Sequence, residues 1–484
     1  KMSPENRLSA LAHAQESVNA ASKARERLAL LFDKDTFVEL DTFAKVDGEE
    51  TGVVTGYGAV DGSPVFAFAQ DKGVLSGAVG RVHAAKIKKV YDLALKTGAP
   101  VVGIYDSNGA RLSEGNDALA AYGQMLLSLN NLSGVVPQIS LVLGTCAGTA
   151  AMIACSADFV IMSKEAELFM AAPFTAKANG ETVEGVGTAE NAAKAGVAHV
   201  VCADEASAIA STRGLIARLP LNNLSTAPIS DFVETDAAAA LQAACENIEN
   251  AEIDTIVADV VDANSMIELD KEFGKSALTA LVTISGISCG VVATRKKENN
   301  GKLDKDAVSK IARFVSVCDS FALPVITFVD TKGFSGRAAE ELAGGIREAA
   351  KLAHVYAEAT CAKISVVLGD AYGPAYIALA GKNANADIVY AWPSAVISAL
   401  APETAANIFE DGKLKDSKNP TADRAQMIED YKKNQASPFE AAAGGHIDNV
   451  IDPANTRAAL ISAVELLSAK RESRLPKKHS NMPM

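Results

Sequence analysis

Short runs of apolar residues alternate with longer stretches of helical periodicity along most of this chain. Runs rich in Val and Ile, such as PVVGIYD (100–106) and ISLVLG (139–144), have the length and composition of buried strands. Between them lie stretches such as 78–98, where apolar residues recur every three or four positions, as in an amphipathic helix. This alternation predicts an α/β fold with a mainly parallel sheet covered by helices. A further helix is predicted at residues 5–31.

The pattern occurs twice. Asp61-Gly62, Lys86, Pro100, Asp106 and Gly109 match Ser285-Gly286, Lys310, Pro324, Asp330 and Gly333 at a constant spacing of 224 positions. One residue further apart, ISLVLGTCAGTA (from 139) matches ISVVLGDAYGPA (from 364). A single large spacing indicates a duplicated domain rather than a solenoid. The polar stretch LPLNNLSTAPISD (219–231) is typical of an interdomain linker, so we predict domains at 1–225 and 226–484.

Composition narrows the function classes. The net charge of −13 disfavours nucleic acid as a partner, because its binding depends on basic surfaces. Seven cysteines without a CxxC pair indicate reduced thiols in a cytoplasmic protein and no zinc site. The uncharged stretch 118–157 is long enough to span a bilayer, but Pro137, Gly144 and Gly148 interrupt it. A strand, a glycine turn and a helix are therefore predicted there.

Each half contains a strand that runs into a glycine turn and then a helix of small residues, LVLG-TCAGTAAMIA and VVLG-DAYGPAYIAL. Such a turn exposes backbone N–H groups at the positive end of a helix, as an oxyanion hole requires. The candidate donors are Gly148 and Thr149 in the first half. In the second half they are Gly373 and Ala375, because Pro374 has no N–H. The alternative is a purely structural turn, although its recurrence beside a second glycine turn in each half (DSNGARLSEG, DTKGFSG) favours function.

Conventional catalytic side chains are scarce. The patterns GxSxG, HExxH and GxxxxGK[ST] do not occur in the sequence. His83 and His354 lie on predicted helices and are interpreted as structural or surface residues. Glu114, Glu340 and Glu341 follow the glycine turns, where acidic residues are expected at helix starts. A chemistry that needs backbone donors and a base carried by the reactants would explain this composition.

Long segments in the same order resemble the carboxyltransferase family that includes propionyl-CoA carboxylase β subunits and methylmalonyl-CoA decarboxylase α subunits. The segments that carry the resemblance are SKARERLALLFDKDTFVELDTF (22–43), GAVGRVHAAKI (77–87), SNGARLSEGNDALAAYGQ (107–124), SGVVPQISLVLGTCAG (133–148), ARFVSVCDSFALPVITFVDTKGF (312–334), AEATCAKISVVLGDAYGPAY (357–376), AWPSA (391–395) and the tail LPKKHSNMPM (475–484). The resemblance implies two tandem crotonase-like domains and a homo-oligomer, commonly a hexamer. In it, the first domain of one subunit faces the second domain of another.

The family implies roles for individual residues. The Gly148–Thr149 turn would hold the thioester enolate of an acyl-CoA, and the Gly373–Ala375 turn the ureido oxygen of biotin. The biotin anion left after CO2 release would take the α-proton, so that no side-chain base is needed. The resemblance assigns further positions to the acyl-CoA path: Lys86, Gly109, Ala110, Arg111, Ala147, Tyr372 and Ile377, with Lys86 and Arg111 as phosphate partners. On the biotin side it assigns Gly333, Phe334, Tyr372 and Gly373.

Two departures from the family pattern affect the predicted function. The usual Gly-Gly pair is replaced by Gly148-Thr149 and by Gly373-Pro374, which adds a side chain at one turn and removes an N–H at the other. No biotin-attachment sequence occurs, so a separate biotin carboxyl carrier protein is expected, with either a biotin carboxylase or a membrane decarboxylase subunit. The expected cofactor is biotin, the substrate a short acyl-CoA, and no metal is expected. Two alternatives remain: a biotin-independent crotonase-like enzyme using Glu114 or Glu340, and a non-catalytic paralogue.

Overall fold

The computed structural model describes residues 4–18, 22–384, 386–415, 417–472 and 474–483. The chain forms two compact units, Lys1–Ser225 (unit 1) and Thr226–Met484 (unit 2). The division between them falls within the polar stretch 219–231. Among the described residues, no helix is both long and apolar enough to cross a bilayer.

Unit 1 contains a mixed sheet with helices on its faces. Its strands are β1 (Val38–Leu40), β2 (Lys45–Val46), β3 (Glu49–Glu50), β4 (Val53–Val60), β5 (Ser63–Gln70), β6 (Val101–Ser107), β7 (Gln138–Ala147), β8 (Phe159–Ser163), β9 (Glu167–Phe169) and β10 (Val200–Cys202). Its helices are α1 (Pro4–Val18), α2 (Lys23–Leu31), α3 (Arg81–Thr97), α4 (Asn116–Leu132), α5 (Thr149–Cys155), α6 (Pro173–Ala178), α7 (Ala189–Lys194) and α8 (Glu205–Ile216).

Unit 2 repeats this arrangement. Its strands are β11 (Ile267–Leu269), β12 (Ala277–Ile284), β13 (Ile287–Thr294), β14 (Val325–Thr331), β15 (Lys363–Tyr372), β16 (Ile388–Ala391), β17 (Val396–Ser398) and β18 (Asn449–Val450). Its helices are α9 (Ala238–Glu246), α10 (Ile253–Val260), α11 (Lys305–Ser320), α12 (Ala338–Leu342), α13 (Gly345–Glu358), α14 (Gly373–Ala380), α15 (Pro402–Lys415), α16 (Pro420–Asn434), α17 (Pro438–Ala443) and α18 (Thr456–Leu467).

The two sheets have the same topology. Strand order is β1-β4-β5-β6-β7-β8-β10 in unit 1 and β11-β12-β13-β14-β15-β16-β18 in unit 2, with β9 on β7 and β17 on β15. In each sheet the first three strands are antiparallel and the rest are parallel. The register is irregular at Asp106 between β6 and β7, and at Asp330 between β14 and β15. Shared order and a shared irregularity confirm the duplication predicted from the 224-residue spacing.

Aliphatic side chains form the core of each unit, as the low aromatic content predicts. Strands buried on both faces, such as β6 and β14, are rich in Val and Ile, and each carries one buried aspartate near its end. The single tryptophan, Trp392, is fully buried in unit 2 and donates from Nε1 to Thr456 Oγ1 at 2.9 Å. This hydrogen bond satisfies the polar atom of the indole, which would otherwise be costly to bury.

The predicted single helix at 5–31 is wrong in one respect. Helix α2 starts at Lys23, and Ser22 before it is extended, with φ −113° and ψ 125°. Helices α1 and α2 are therefore separate, and residues 19–21 lie outside the described part of the chain. The Ser22 hydroxyl donates to Asp71 Oδ2 at 2.6 Å, a long-range contact that the local sequence pattern does not reveal.

Candidate active site

The first predicted turn lies where β7 ends and α5 begins. Gly148 adopts φ +65° and ψ −131°, a conformation that favours glycine, and a Cβ there would meet nothing closer than the Met170 carbonyl oxygen at 3.9 Å. Its N–H donates to the Phe169 carbonyl oxygen at 2.8 Å. Because Phe169 belongs to the short strand β9, the Gly148 amide is already used in a hydrogen bond within the fold. Thr149, as the first residue of α5, contributes the amide that has no acceptor within the helix.

The second glycine turn of unit 1 follows β6. Gly109 has φ +116°, and no atom lies within 4 Å of the place where a Cβ would be. The turn is fixed by two backbone bonds to Val79, which donates to the Gly109 oxygen and accepts from the Arg111 amide, both at 2.9 Å. Ala110 is paired with Val79 by these bonds. The backbone of residues 109–111 is therefore rigidly placed beside the start of α3.

Unit 2 contains glycine turns at the two corresponding positions. Gly373 has φ +49° and begins α14, with Pro374 in the first turn of that helix. Ala375 is fully buried, backbone included. After β14, Gly333 has φ +106°, and Leu303 donates to its oxygen and accepts from the Ser335 amide at 2.9 and 2.8 Å. The duplicated sequence thus places a positive-φ glycine at both turns of each unit.

An apolar cavity of about 460 Å³ lies beside the Gly373 turn. It brings together five of the residues singled out in the sequence: Phe334, Glu340, Glu341, Pro374 and Ile377. The remaining wall comes mainly from α11 and α13, and its members are Leu303, Lys305, Val308, Ser335, Gly336, Gly345, Ile346, Ala349, Ala350, Ala353 and Ala378. Cavities of this size and composition hold small ligands in many proteins.

The prediction that Lys86 is a phosphate partner is not supported by the structure. Its side chain is buried, with 4 % of the residue exposed, and Nζ donates to the Val53 carbonyl oxygen at 2.8 Å. Desolvation lowers the pKa of the ammonium. Lys310, its counterpart in unit 2, is buried in the same way, and its Nζ donates to the carbonyls of Asp270 and Ala277. Both lysines stabilise the fold rather than face a ligand.

Arg111 is placed differently. Its guanidinium pairs with Asp47, at 2.8 Å, and lies 3.6 Å from Glu114. The Asp47 side chain is 83 % exposed, so that pair is open to water and can exchange for another anion. The Arg111 side chain itself is 12 % exposed, and its role as a phosphate partner stays a prediction.

The carboxylates that follow the turns cap helices. Glu114 Oε2 accepts from the Arg81 amide at the start of α3, at 2.6 Å, and Glu340 Oε2 accepts from the Lys305 amide at the start of α11, at 2.9 Å. Gly80 is needed beside Glu114, because a Cβ there would lie 2.3 Å from the carboxylate. Carboxylates in these bonds satisfy helix N-termini and are poorly placed to act as bases.

The predicted structural role of the histidines agrees with their surroundings. His83 is buried between Gln70 and the Thr51 carbonyl oxygen, and desolvation lowers its pKa to about 3. It is therefore neutral at physiological pH. His354 is half-buried and pairs with Glu358 one helical turn further on. Neither histidine belongs to the glycine turns.

Sequence reasoning missed a buried acid beneath each pair of turns. Asp106 forms an ion pair with Arg27 on α2, with Nη1 and Oδ2 2.8 Å apart. Its counterpart Asp330 has Oδ1 3.3 Å from Nζ of Lys296, two residues after β13. Burial raises the pKa of Asp330 to about 6, against the opposing effect of Lys296. The signal was present in the repeat, since these aspartates recur at the 224-residue spacing. Their partners differ, however, and only the tertiary structure identifies them.

Comparisons with known proteins agree with this geometry. The family model described as "Carboxyl transferase domain" matches residues 18–482. The chain is 41 % identical over 483 residues to methylmalonyl-CoA decarboxylase subunit alpha of Veillonella parvula, covering 95 % of this chain and 93 % of that protein. It is 38 % identical over 480 residues to the methylmalonyl-CoA carboxyltransferase 12S subunit of Propionibacterium freudenreichii subsp. shermanii, covering 95 % and 91 %.

A propionyl-CoA carboxylase beta chain from Saccharopolyspora erythraea is also 38 % identical, over 502 residues and with 97 % and 92 % of the two chains covered. Among solved structures, the transcarboxylase 12S hexamer with hydrolysed methylmalonyl-coenzyme A bound matches with a TM-score of 0.93 and 36 % identity. That match covers 100 % of both chains. The predicted fold, two tandem crotonase-like domains, is confirmed by this agreement.

Proposed function

The chain belongs to the carboxyl transferase domain family, and from this premise we propose that it moves a carboxyl group between biotin and the α-carbon of a short acyl-CoA. The observation that carries the proposal is the recurrence, in both units, of a buried strand ending at a positive-φ glycine that starts a helix. Such turns aim backbone N–H groups at one point and can stabilise charge that develops on a carbonyl oxygen. One such turn in each unit would serve one reactant, the acyl-CoA thioester or the ureido group of biotin.

Unit 1 is assigned to the acyl-CoA. The Thr149 amide would hold the thioester oxygen as negative charge develops on it, while Gly148 leaves the space that a close approach requires. Gly109, Ala110 and Ala147 are assigned to the acyl-CoA path by the resemblance, and Arg111 is the candidate phosphate partner. Thr149 is half-buried, and its side chain would narrow the space beside Gly148.

Unit 2 is assigned to biotin, which when bound would supply the ureido group that carries the carboxyl. The residues fit such a group: the 460 Å³ apolar cavity adjoins the start of α14 and includes Phe334. Ile377, which the resemblance assigns to the acyl-CoA path, lines the same cavity. Gly333 and Gly373 provide the backbone turns on either side, and Tyr372 ends the strand that leads into α14. The amide of Ala375 would donate to the ureido oxygen, since Pro374 has no N–H.

The alternative of a biotin-independent crotonase-like enzyme needs a free carboxylate near a turn. Glu114 and Glu340 are the candidates, and both are engaged as helix caps. This favours a reaction in which the protein supplies backbone donors and no side-chain base. A non-catalytic paralogue is disfavoured because the positive-φ glycines and the open space at Gly148 and Gly109 are retained.

Partners follow from the same proposal. Relatives of this chain carry names of subunits, and the transcarboxylase 12S structure is described as a hexamer. We therefore expect a homo-oligomer, with hexamer as the first choice, that takes biotin from a separate carrier protein. A biotin carboxylase partner would make the complex a carboxylase, and a membrane decarboxylase subunit would make it a decarboxylase. A cytoplasmic location accords with seven cysteines that are all unpaired.

The decisive experiment is transfer of the carboxyl group from malonyl-CoA or methylmalonyl-CoA to biocytin by the purified full chain. Loss of the acyl-CoA should require biocytin, and the two substrates should differ in kcat/KM. Turnover without biocytin would instead support a biotin-independent enzyme. Binding of the acyl-CoA with no turnover, and no exchange of its α-proton in D2O, would support the non-catalytic paralogue.

A further inference from the structure

Lys296 lies at the centre of a buried cluster in unit 2. Its Nζ is 3.3 Å from Asp330 Oδ1, 3.3 Å from Asp370 Oδ2 and 3.0 Å from Glu249 Oε2. Asp330 and Asp370 are at most 6 % exposed, whereas the Glu249 side chain is 69 % exposed at the rim. One ammonium therefore compensates two buried carboxylates, which would otherwise repel each other.

The cluster extends to the Gly373 turn through a side-chain hydrogen bond. The Tyr372 hydroxyl donates to Asp370 Oδ1, across two residues of β15 that face the same side of the sheet. Tyr372 is the residue immediately before Gly373 and precedes the first turn of α14. Lys296 thus reaches the turn through two side chains, Asp370 and Tyr372.

The same cluster joins the strands that lead to both turns of unit 2. Asp330 lies near the end of β14, three residues before Gly333, and its Oδ1 accepts from the Asp370 amide at 2.8 Å. A Cβ on Gly369 would lie 2.5 Å from the same oxygen, so this approach requires glycine. The Gly333 and Gly373 turns therefore depend on one shared carboxylate pair.

Unit 1 has no such connection among the corresponding residues. Lys72, the counterpart of Lys296, donates to Thr145, and Asp106 is paired with Arg27 instead. The position of Tyr372 is taken by Ala147, which has no hydroxyl. The link from a lysine through an aspartate to the residue before the turn is thus a property of unit 2, which we assign to biotin.

We propose that Lys296 is a positioning residue for the biotin-side turn, acting through Asp370 and Tyr372. The inference rests on the proposed function for its effect on catalysis, but not for its effect on the turn itself. Removing the ammonium leaves two buried carboxylates unpaired, which displaces the ends of β14 and β15 and with them the two turns. A displacement of this kind lowers the rate of a reaction that depends on backbone donors.

The cluster is open to bulk pH, because a cavity of about 450 Å³ reaches Lys296 and Asp330 from the surface. The charged and titratable groups around it are Glu249 before α10, Lys296, Asp330, Asp370, Tyr372 and Glu403 on α15. The cavity is further lined by the charged residues Glu252, Asp254, Lys271, Glu272, Lys275, Arg295, Lys297 and Glu298. Without the lysine, the aspartate pair stays together only while it holds a proton. The defect should therefore grow as pH rises and the proton is lost.

The first test is amide hydrogen exchange in the full-length protein, which needs no activity. Lys296→Met should raise exchange about tenfold in peptides covering 331–336 and 372–378, with less change elsewhere in unit 2. Lys297→Met is the matched control, because Lys297 is a neighbouring lysine whose partner Glu252 is at the surface. Unchanged exchange at both turns in Lys296→Met would overturn the proposal, whether or not the chain proves to be a carboxyltransferase.

The second test is kinetic. Lys296→Met should lower kcat about tenfold, with an unchanged KM for the acyl-CoA and a deficit that is larger at pH 8 than at pH 6. Lys296→Met/Asp370→Asn should restore kcat and reduce the extra deficit at pH 8, because it removes the repulsion between the two carboxylates, keeps an acceptor for Tyr372 and returns the cluster to one net negative charge from Asp330. A kcat that follows only global stability, with no rescue, would reduce Lys296 to a structural residue. Inactive wild-type protein would refute the proposed function, and exchange would still decide the role of Lys296.

Discussion

The amide of Gly148 donates a hydrogen bond to the carbonyl oxygen of Phe169, with an N···O distance of 2.8 Å. This bond joins the end of β7 to β9 and removes Gly148 from the donors available to a substrate. The next amide along the chain, that of Thr149, is then the donor at the positive end of α5. The first turn therefore depends on the residue that departs from the family pattern.

Thr149→Pro should remove the amide donor at position 149 without destabilising the fold. Proline is well tolerated at the first position of a helix, so the melting temperature should change little. Loss of the N–H should lower kcat by about 100-fold if Thr149 is the oxyanion donor. Thr149→Ala keeps the N–H and widens the entrance, and it should retain activity. Equal activity of the two variants in the biocytin assay would exclude this amide as a donor.

At the second turn, substitution of Pro374 should increase activity, because it adds a backbone donor and does not remove one. Pro374→Ala adds an N–H in the first turn of α14, and kcat should rise about tenfold if this amide joins Ala375 as a donor. Pro374→Gly adds the same N–H together with more backbone freedom, and serves as the comparison. A gain with glycine alone would indicate that space, and not the donor, limits the reaction.

Gly144 is required by the buried carboxylate of Asp106. A Cβ at this position would lie 2.1 Å from Oδ1, so Gly144→Ala should lower the free energy of unfolding by about 3 kcal/mol. Gly123→Ala is the matched control, since Gly123 is exposed on α4 with no atom within 4 Å of its Cβ position. That variant should be stabilising by about 0.5–1 kcal/mol, as expected for an exposed helix position. Chemical denaturation of both variants tests the contrast, which a similar loss in each would contradict.

Stability should depend on the protonation of Asp330. Burial raises its pKa from the ordinary value of 3.8 to about 6, so the folded state holds a proton that the unfolded state releases. The contribution of this group is therefore complete below pH 4 and is lost as pH rises through 6, at a cost of about 3 kcal/mol. Asp330→Asn cannot titrate, so its free energy of unfolding relative to wild type should rise by that amount between pH 4 and pH 7. Parallel pH profiles for the two proteins would refute the assignment.

Lys86 and Arg111 should respond differently to substitution. Lys86→Met removes a buried ammonium bound to a carbonyl, so it should change the melting temperature and leave the KM for acyl-CoA unchanged. Arg111→Met removes a cation whose acidic partner Asp47 is exposed, and it should raise that KM about tenfold. The KM values for the acyl-CoA and for the acyl-pantetheine, which lacks the nucleotide and all the phosphates, distinguish a phosphate contact. An increase for Lys86→Met with the full CoA ester alone would restore the original prediction.

Much of the fold could be predicted from the sequence because the signals are local or repeated. Strand and helix periods identify β6, β7, β14 and β15 within a few residues, and the spacing of 224 positions predicts two similar sheets. Both glycine turns were also predictable, because Gly148 and Gly373 adopt positive φ and this conformation favours glycine over other residues. The helix at 5–31 was wrong because its interruption at Ser22 accompanies a contact with Asp71, 49 residues away.

The sequence by itself determined that the chain is a duplicated α/β protein of the carboxyltransferase family with two backbone turns. Periodicity, glycine placement and family motifs are properties of the residue order, so they can be read without the tertiary structure. Only the tertiary structure decided which polar groups near those turns are free to bind a ligand and which are already hydrogen-bonded within the fold. The Gly148 amide is occupied by Phe169, the Lys86 ammonium by Val53, and the carboxylates of Glu114 and Glu340 by helix starts. A hydrogen-bond partner can lie anywhere along the chain, and burial follows from packing of the whole unit, so neither is visible in a local pattern.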